Sequence, residues 1–308
     1  MLSSTDTRPS DRPRKDPAMN NLWSTQIQRI STLYASRALR FHDLFRETYV
    51  QAFGIPENPS ILEVGCGPGV LCEALSRWYP AATVVGIHRD SNFIQFAAQR
   101  SPHIRYLEGD ATALPFPDEN FDVTISNTVQ EHVPPEGFYG EQYRVLRKGG
   151  ACLVLSSRRG YRVPAPCTQE MTDLEREVFE AVAPYDHALF QSAGIGAYAT
   201  DERGIPVAME QYGFRQVSTH YVTVNLTPDN PAYDAVTAHA IINADRQNDL
   251  DALACICEKA PGLIPDSTII ELRRQINEKY DRRLSLYDRN QKQWDCTVAI
   301  IQITKGIK

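Results

Sequence analysis

Between Ile61 and Leu155, short apolar runs alternate with amphipathic stretches. Ile61 to Val64 predicts a strand and Val70 to Trp78 a helix. Thr83 to Ile87 predicts the second strand and Ser91 to Arg100 the next helix. Ile104 to Leu107 and Phe121 to Ser126 predict strands three and four; a helix near Gly137 to Leu146 leads to a strand at Ala151 to Leu155. Continuously apolar strands separated by amphipathic helices imply parallel strands covered on both faces. The expected fold is therefore an α/β, doubly wound, Rossmann-like open sheet. Ligands of such sheets sit beyond the carboxyl ends of the strands, where the winding reverses.

The flanks follow other rhythms. Trp23, Ile27, Ile30, Tyr34, Phe41, Phe45 and Tyr49 recur at helical spacings and predict one amphipathic helix or two joined ones, ended by Gly54 and Pro56. Residues 157–200, with Pro164, Pro166 and Pro184, read as irregular. Ile205 to Tyr212 predicts a helix closed by Gly213, and Phe214 to Leu226 a long strand. Residues 230–290 read as helical, the clearest stripe being Ile269, Leu272, Ile276, Tyr280, Leu284 and Tyr287; Cys296 to Thr304 is a last strand. This divides the chain into a tail at 1–20, an N-terminal helical lid at 21–56, a sheet domain at 57–226 and 294–308, and a helical insertion at 227–293. Within the sheet domain, 157–200 is the variable lid facing a substrate. The insertion offers a surface for a homo-oligomer.

Composition narrows the function. The 308 residues carry 32 basic and 38 acidic side chains, a net charge of −6, which argues against a nucleic-acid partner. No apolar run approaches the roughly 18 residues that span a bilayer, so no membrane role is expected. The first 20 residues lack the apolar stretch of a secretory signal. The seven cysteines are scattered without metal-ligand spacing, as expected of free thiols in a reducing cytoplasm with no bound metal.

The sharpest motif is ILEVGCGPGVL, Ile61 to Leu71: a buried strand, then Gly65, Gly67 and Gly69, then a helix. Glycines permit the tight turn and let backbone approach a ligand. A nicotinamide-dependent oxidoreductase would need a third glycine where Val70 stands. Glu63, inside the strand just before the loop, suits a cationic ligand group better than a pyrophosphate.

YLEGDATALPFPDENFDVTISN (Tyr106 to Asn127) and LRKGG (Leu146 to Gly150) follow in order. With them the sequence resembles the class I S-adenosylmethionine-dependent methyltransferases, in the small-molecule branch typified by ubiquinone and menaquinone biosynthesis enzymes. The resemblance covers 60–156 densely and 205–226 loosely. It implies a seven-stranded sheet whose last strand is antiparallel, S-adenosylmethionine as cofactor, and a small-molecule acceptor. Glu63, Gly65, Cys66 and Gly67 would cradle the methionine and ribose part; Asp110 would accept from the adenine amino group, and the Ala111 amide would meet the ring. Asn127 and Thr128 would line the methyl-donor side. Tyr34 and Arg37, on the N-terminal helix, would close over the cofactor, Arg37 meeting its carboxylate. The family usually has Asp or Glu at the end of strand two; here VVGIHRD places His88 there, followed by Arg89. A neutral imidazole offers one acceptor nitrogen. This leaves weaker cofactor binding, a compensating group, with Asp90 taking part of the role, or a protein that no longer methylates, and compensation is the expected reading.

Methyl transfer is an in-line displacement served by alignment and exclusion of water. Where a base helps, the candidate catalytic residues are His187, His132 and Glu131. Tyr161, Tyr185, Tyr198, Tyr221 and Tyr233 could line an apolar or cationic pocket and read chiefly as core. Ser126-Asn127-Thr128-Val129 replaces the Asn/Asp-Pro-Pro-Tyr/Phe of enzymes acting on amino groups of DNA bases. The expected activity is methyl transfer to N, O or C of a small molecule in secondary metabolism or cofactor biosynthesis. The alternative is a non-methylating descendant, a binding partner or a cyclase-like scaffold.

Overall fold

The computed structural model describes residues 21, 23–192, 194–259 and 262–308; the side chains of 26, 158–159, 186–190, 192 and 257–259 lie outside that description. The tail expected at 1–20 also falls outside the described residues. β1 (Ser60–Val64), β2 (Thr83–His88), β3 (Arg105–Glu108), β4 (Phe121–Asn127), β5 (Leu146–Val163), β6 (Arg215–Leu226) and β7 (Cys296–Ile307) form one sheet in the order β3-β2-β1-β4-β5-β7-β6. The pairs from β3 through β5 are parallel, and β7 runs antiparallel to both β5 and β6. The chain winds outward from β1 to β3, then reverses at β4 on the other side of β1. That reversal opens the crevice expected from the sequence.

The helices are α1 (Ile30–Arg40), α2 (Arg46–Phe53), α3 (Val70–Trp78), α4 (Ser91–Arg100), α5 (Pro135–Val145), α6 (Pro166–Gln169), α7 (Asp173–Ser192), α8 (Gly204–Gln211), α9 (Ala235–Lys259) and α10 (Asp266–Asp288). Side chains alternate across a strand. Ile61 joins a core with Tyr49, Phe53, Leu75 and Ile303 on one face of the sheet. Leu62 and Val64 join Phe121, Phe138 and Met209 on the other. Burying each such side chain contributes about 1.5–3 kcal/mol, so both faces hold the β1 ends in place.

The N-terminal segment is broken more often than the stripe predicts. A π-helical turn at Trp23–Ile27 precedes α1, and a 3₁₀ turn at Asp43–Phe45 separates α1 from α2. Gly54, at φ +50°, ends α2 as expected. β5 runs on to Val163, well past the predicted Leu155, because β7 pairs with it as far as Cys296.

Residues 164–192, read from sequence as irregular, are largely helical. Pro166 opens α6 and Pro184 lies within α7. A helix-interior proline costs about 3 kcal/mol. Val178 and Val182 repay it by packing with Ile242, Leu253, Ile256, Leu272, Ile276 and Tyr280 in a third core shared by α7, α9 and α10. The α10 stripe thus packs inside the chain.

The helices between β6 and β7 are rooted by Arg283, whose side chain is 1% exposed. Its Nη2 donates to Asp229 at 2.9 Å and to Asp295 at 2.6 Å. Asp229 also accepts the amides of Gln293 and Trp294, each at 2.8 Å. One side chain therefore ties together the segments that leave β6 and enter β7. Thr32 on α1 donates to Asp251 on α9 and joins this helical layer to the N-terminal one. Among the described residues no helix is long and apolar enough to cross a membrane.

Candidate functional site

A cavity of about 490 Å³ lies beyond the carboxyl ends of β1, β2 and β4. The glycine loop forms its floor. The amides of Gly65 and Cys66 both donate to the Ile87 carbonyl, at 2.8 and 3.0 Å, and pin the loop to β2. Gly65 has φ +77°, and a Cβ there would fall 2.4 Å from Val129 Cγ2. Gly69, at φ +85°, precedes α3, and its Cβ would meet Tyr106 Oη at 2.6 Å. The first turn of α3 leaves amides without intrahelical partners beside this floor.

Two ionisable groups sit deep in the cavity wall. Glu63 is 2% exposed; burial pushes its carboxyl up to about 8, against a hydrogen bond from Cys72. Its Oε2 is buried without a hydrogen-bond partner among the described residues. Arg37 reaches in from α1 and donates to Thr128 Oγ1 at 2.8 Å. Burial pulls the guanidinium down to about 9, so it is still cationic at neutral pH. Thr128 has φ +54°, an uncommon backbone for a β-branched residue; such strain clusters at functional sites.

The β2 end is arranged differently from the sequence expectation. His88 Nδ1 accepts the Asp90 amide at 3.0 Å, and burial, aided by the charge of Arg89, pushes the ring down to about 4. Asp90 is fully buried and does not face the cavity. Its Oδ1 accepts from Asn92 N and Ser24 Oγ, each at 3.0 Å, and its Oδ2 from Ser24 N at 2.9 Å. It caps α4 and latches the N-terminal segment instead of compensating for His88. Beyond β3, Asp110 Oδ1 accepts the Thr112 amide at 2.9 Å and hydroxyl at 2.8 Å, and its carboxyl borders the cavity.

His132 borders the cavity too. Its Nδ1 accepts the Gly196 amide at 3.0 Å, and burial, then Arg89, pushes it down to about 4. A neutral imidazole whose Nδ1 is an acceptor carries its proton on Nε2, so His132 has no free lone pair with which to act as a base. Trp23 packs edge-on against it, ring centroids 4.7 Å apart, and Tyr198 N donates to the Glu131 carbonyl at 3.0 Å. Two segments thereby close the mouth: the turn at Trp23–Ile27 and residues 194–198.

Arg37, Glu63, Gly65, Cys66, Gly67, His88, Arg89, Asp110, Ala111, Asn127, Thr128 and His132 all line this one cavity. Tyr34 does not; its hydroxyl donates to Glu73 at 2.7 Å on the far side of α3, with Arg100 over its ring. Glu131 turns its carboxyl toward His132 Nε2, 3.9 Å away, and is not part of the lining. His187 belongs to α7, and its side chain lies outside the described residues. Of the tyrosines expected in the core, Tyr161, Tyr185, Tyr198 and Tyr221 are 61, 45, 38 and 53% exposed, and of these Tyr198 reaches the cavity. Trp23, read from sequence only as part of a helical stripe, and Phe93 also line it. Nothing in a helical stripe distinguishes a residue facing a ligand from one facing core. Among the described residues, no group of three His, Cys, Asp or Glu side chains could hold a metal ion.

Comparison with known proteins agrees with this geometry. The family described as "Methyltransferase domain" matches residues 62–154. The fatty-acid O-methyltransferase of Mycolicibacterium smegmatis is 38% identical over 125 residues, which is 39% of this chain and 44% of that protein. The demethylmenaquinone methyltransferase of Thermus thermophilus is 34% identical over 157 residues, 49% of this chain and 66% of that protein. The chain thus spans about half to two thirds of the length of these relatives. In fold, it is similar to phosphoethanolamine N-methyltransferase 2 of Haemonchus contortus, solved with S-adenosylmethionine: TM-score 0.53 at 14% identity, covering 96% of this chain and 61% of that one. Residues 62–154, which hold the strands and loops that shape the cavity floor, are thus similar to the methyltransferase domain family.

Proposed function

We propose that this chain transfers the methyl group of S-adenosylmethionine to a small-molecule acceptor. The observation that carries this reading is the orphaned, buried Oε2 of Glu63, in the same cavity as Arg37, Asp110 and a glycine floor that a Cβ would fill. A buried polar atom without a partner costs about 1–3 kcal/mol, which a bound ammonium would recover. Glu63 then faces the amino group of the cofactor, Arg37 its carboxylate, and Asp110 and Ala111 its adenine. The cofactor, when bound, supplies a methyl carbon already activated by sulfonium. The chain's residues align it and exclude water beneath Trp23 and Tyr198.

The aromatic wall of Trp23, Phe41 and Tyr198 suits an acceptor with an apolar body. With His132 committed as a donor, the acceptor atom (N, O or C) brings its own lone pair, or His187 serves as base. The setting is cytoplasmic, in secondary metabolism or cofactor biosynthesis. His88 in place of an acid favours a second reading, a descendant that binds the cofactor without using it. Turnover of the cofactor with any of a panel of small acceptors excludes that reading. For the leading one, calorimetry should show micromolar binding of S-adenosylmethionine and S-adenosylhomocysteine; a folded protein that binds neither overturns it.

Glu63 adds a signature to that titration. Its pKa is raised from 4.5 to about 8, so the buried acid contributes stability that is full below pH 4.5 and lost as pH rises through about 8. The melting temperature of the unliganded protein should fall across that window more steeply than that of Glu63→Gln. A cationic ligand beside the carboxyl lowers its pKa, so binding near pH 7 should release up to about one proton. Calorimetry in two buffers of different ionisation enthalpy reads the release. No proton release from wild type would show that the cation does not meet Glu63.

A further inference from the structure

The end of β2 carries no acceptor that faces the cavity. In doubly wound sheets a side chain about 20 residues beyond the glycine turn meets the ribose of the bound nucleoside. His88 stands 23 residues after Gly65 and lines the cavity. Its only acceptor nitrogen, Nδ1, is taken by the Asp90 amide at 3.0 Å. The Asp90 carboxylate, the one acid nearby on the same turn, is spent on Ser24 and Asn92 and is 0% exposed. The Phe93 ring packs edge-on against the imidazole, centroids 5.1 Å apart, and fixes its plane. What His88 has left for a ligand is one N–H, at Nε2, which has no hydrogen-bond partner among the described residues.

We propose that His88 recognises the cofactor ribose as a hydrogen-bond donor, its Nε2–H pointing at a hydroxyl oxygen, with the Asp90 amide fixing that tautomer. This rests on the proposed cofactor. It makes His88 a specificity residue of inverted polarity: a carboxylate there would accept from both hydroxyls, whereas this ring gives a single bond to an oxygen. Asp90 is thereby released for a different task, latching the Trp23–Ile27 turn over the site. The burial that holds the ring neutral also keeps Nδ1 available to the Asp90 amide, since a protonated ring could not accept there.

The test uses calorimetry with three ligands, S-adenosylhomocysteine and its 2′-deoxy and 3′-deoxy analogues, on the full chain. Against wild type, at least one deoxy analogue should bind about five- to tenfold more weakly, the worth of one hydrogen bond. His88→Ala should lose the same factor toward S-adenosylhomocysteine and nothing further toward that analogue. His88→Gln, which keeps an N–H donor of similar reach, should stay within about threefold of wild type. Equal losses by His88→Ala toward all three ligands would overturn the proposal. ¹⁵N NMR of the wild-type imidazole decides polarity independently of any variant's folding: the Nε2–H tautomer should be present, and its proton should shift on saturation with S-adenosylhomocysteine. An Nδ1–H tautomer, or an Nε2–H unmoved by ligand, would overturn the donor role while leaving the cofactor assignment intact. Failure of wild type to bind S-adenosylhomocysteine at all would instead remove the proposed function, and this inference with it.

Discussion

Gly65→Ala should abolish measurable binding of S-adenosylhomocysteine and destabilise the protein by about 2–5 kcal/mol. Two costs combine. The backbone stands at φ +77°, where an L-residue pays about 1–2 kcal/mol. The new Cβ also lands 2.4 Å from Val129 Cγ2, 3.1 Å from Cγ1 and 3.3 Å from Cβ, so this stiff side chain must shift from its present position. Overpacking of that kind costs about 1–3 kcal/mol more. Val129 follows the strained Thr128, whose hydroxyl accepts from Arg37, so a displaced Val129 disturbs the anion side of the site as well as the floor. Calorimetry and thermal melts give the two readouts. Gly140→Ala, in α5 with nothing within 4 Å of a Cβ, is the control and should be neutral or slightly stabilising. Adding Val129→Ala to Gly65→Ala should recover part of the stability; no recovery would mean that the collision is not what matters there.

Arg283→Met should cost about 3–5 kcal/mol, read by urea denaturation, because it leaves the Asp229 carboxylate buried without its cation. Asp229, 2% exposed, would keep only the Gln293 and Trp294 amides. The loss should be concentrated in α9 and α10, whose hydrogen exchange should quicken while that of β1 and β4 changes little. Combining Arg283→Met with Asp229→Asn removes the stranded charge and should recover about 1–2 kcal/mol, a non-additivity expected of groups in direct contact. Additive losses would place Asp229 in contact with water instead.

The strands around the glycine loop were readable because burial on both faces of a parallel sheet leaves no polar positions to confuse the pattern. Ser60–Val64 and Phe121–Asn127 lie within a residue of the expected bounds. Residues 164–192 were not readable. Pro184 looks like a breaker in isolation, and the compensation comes from Val178 and Val182 meeting helices about 60–100 residues further on. The helical stripe of α10 was plain, yet whether it met another copy or its own chain was not.

At the site, the residues fixed by the glycine loop and by the ends of β1, β3 and β4 could be named from sequence, since their positions follow from chain connectivity alone. Tyr34 could not be placed, because one helical turn decides whether a side chain faces the cavity or Glu73. The roles of His88, Asp90 and His132 depend on which partner occupies each nitrogen or oxygen. Ser24, 66 residues from Asp90, and Gly196, 64 residues from His132, take those positions. The sequence by itself determined the fold class, the crevice and the residue types that border it, because hydrophobic period and glycine geometry are local properties. Hydrogen-bond polarity belongs to pairs of groups, and the pairs were made by folding. Only the tertiary structure therefore decided that Asp90 is a latch, that His132 is a donor and not a base, and that the acceptor nitrogen of His88 is taken by the Asp90 amide.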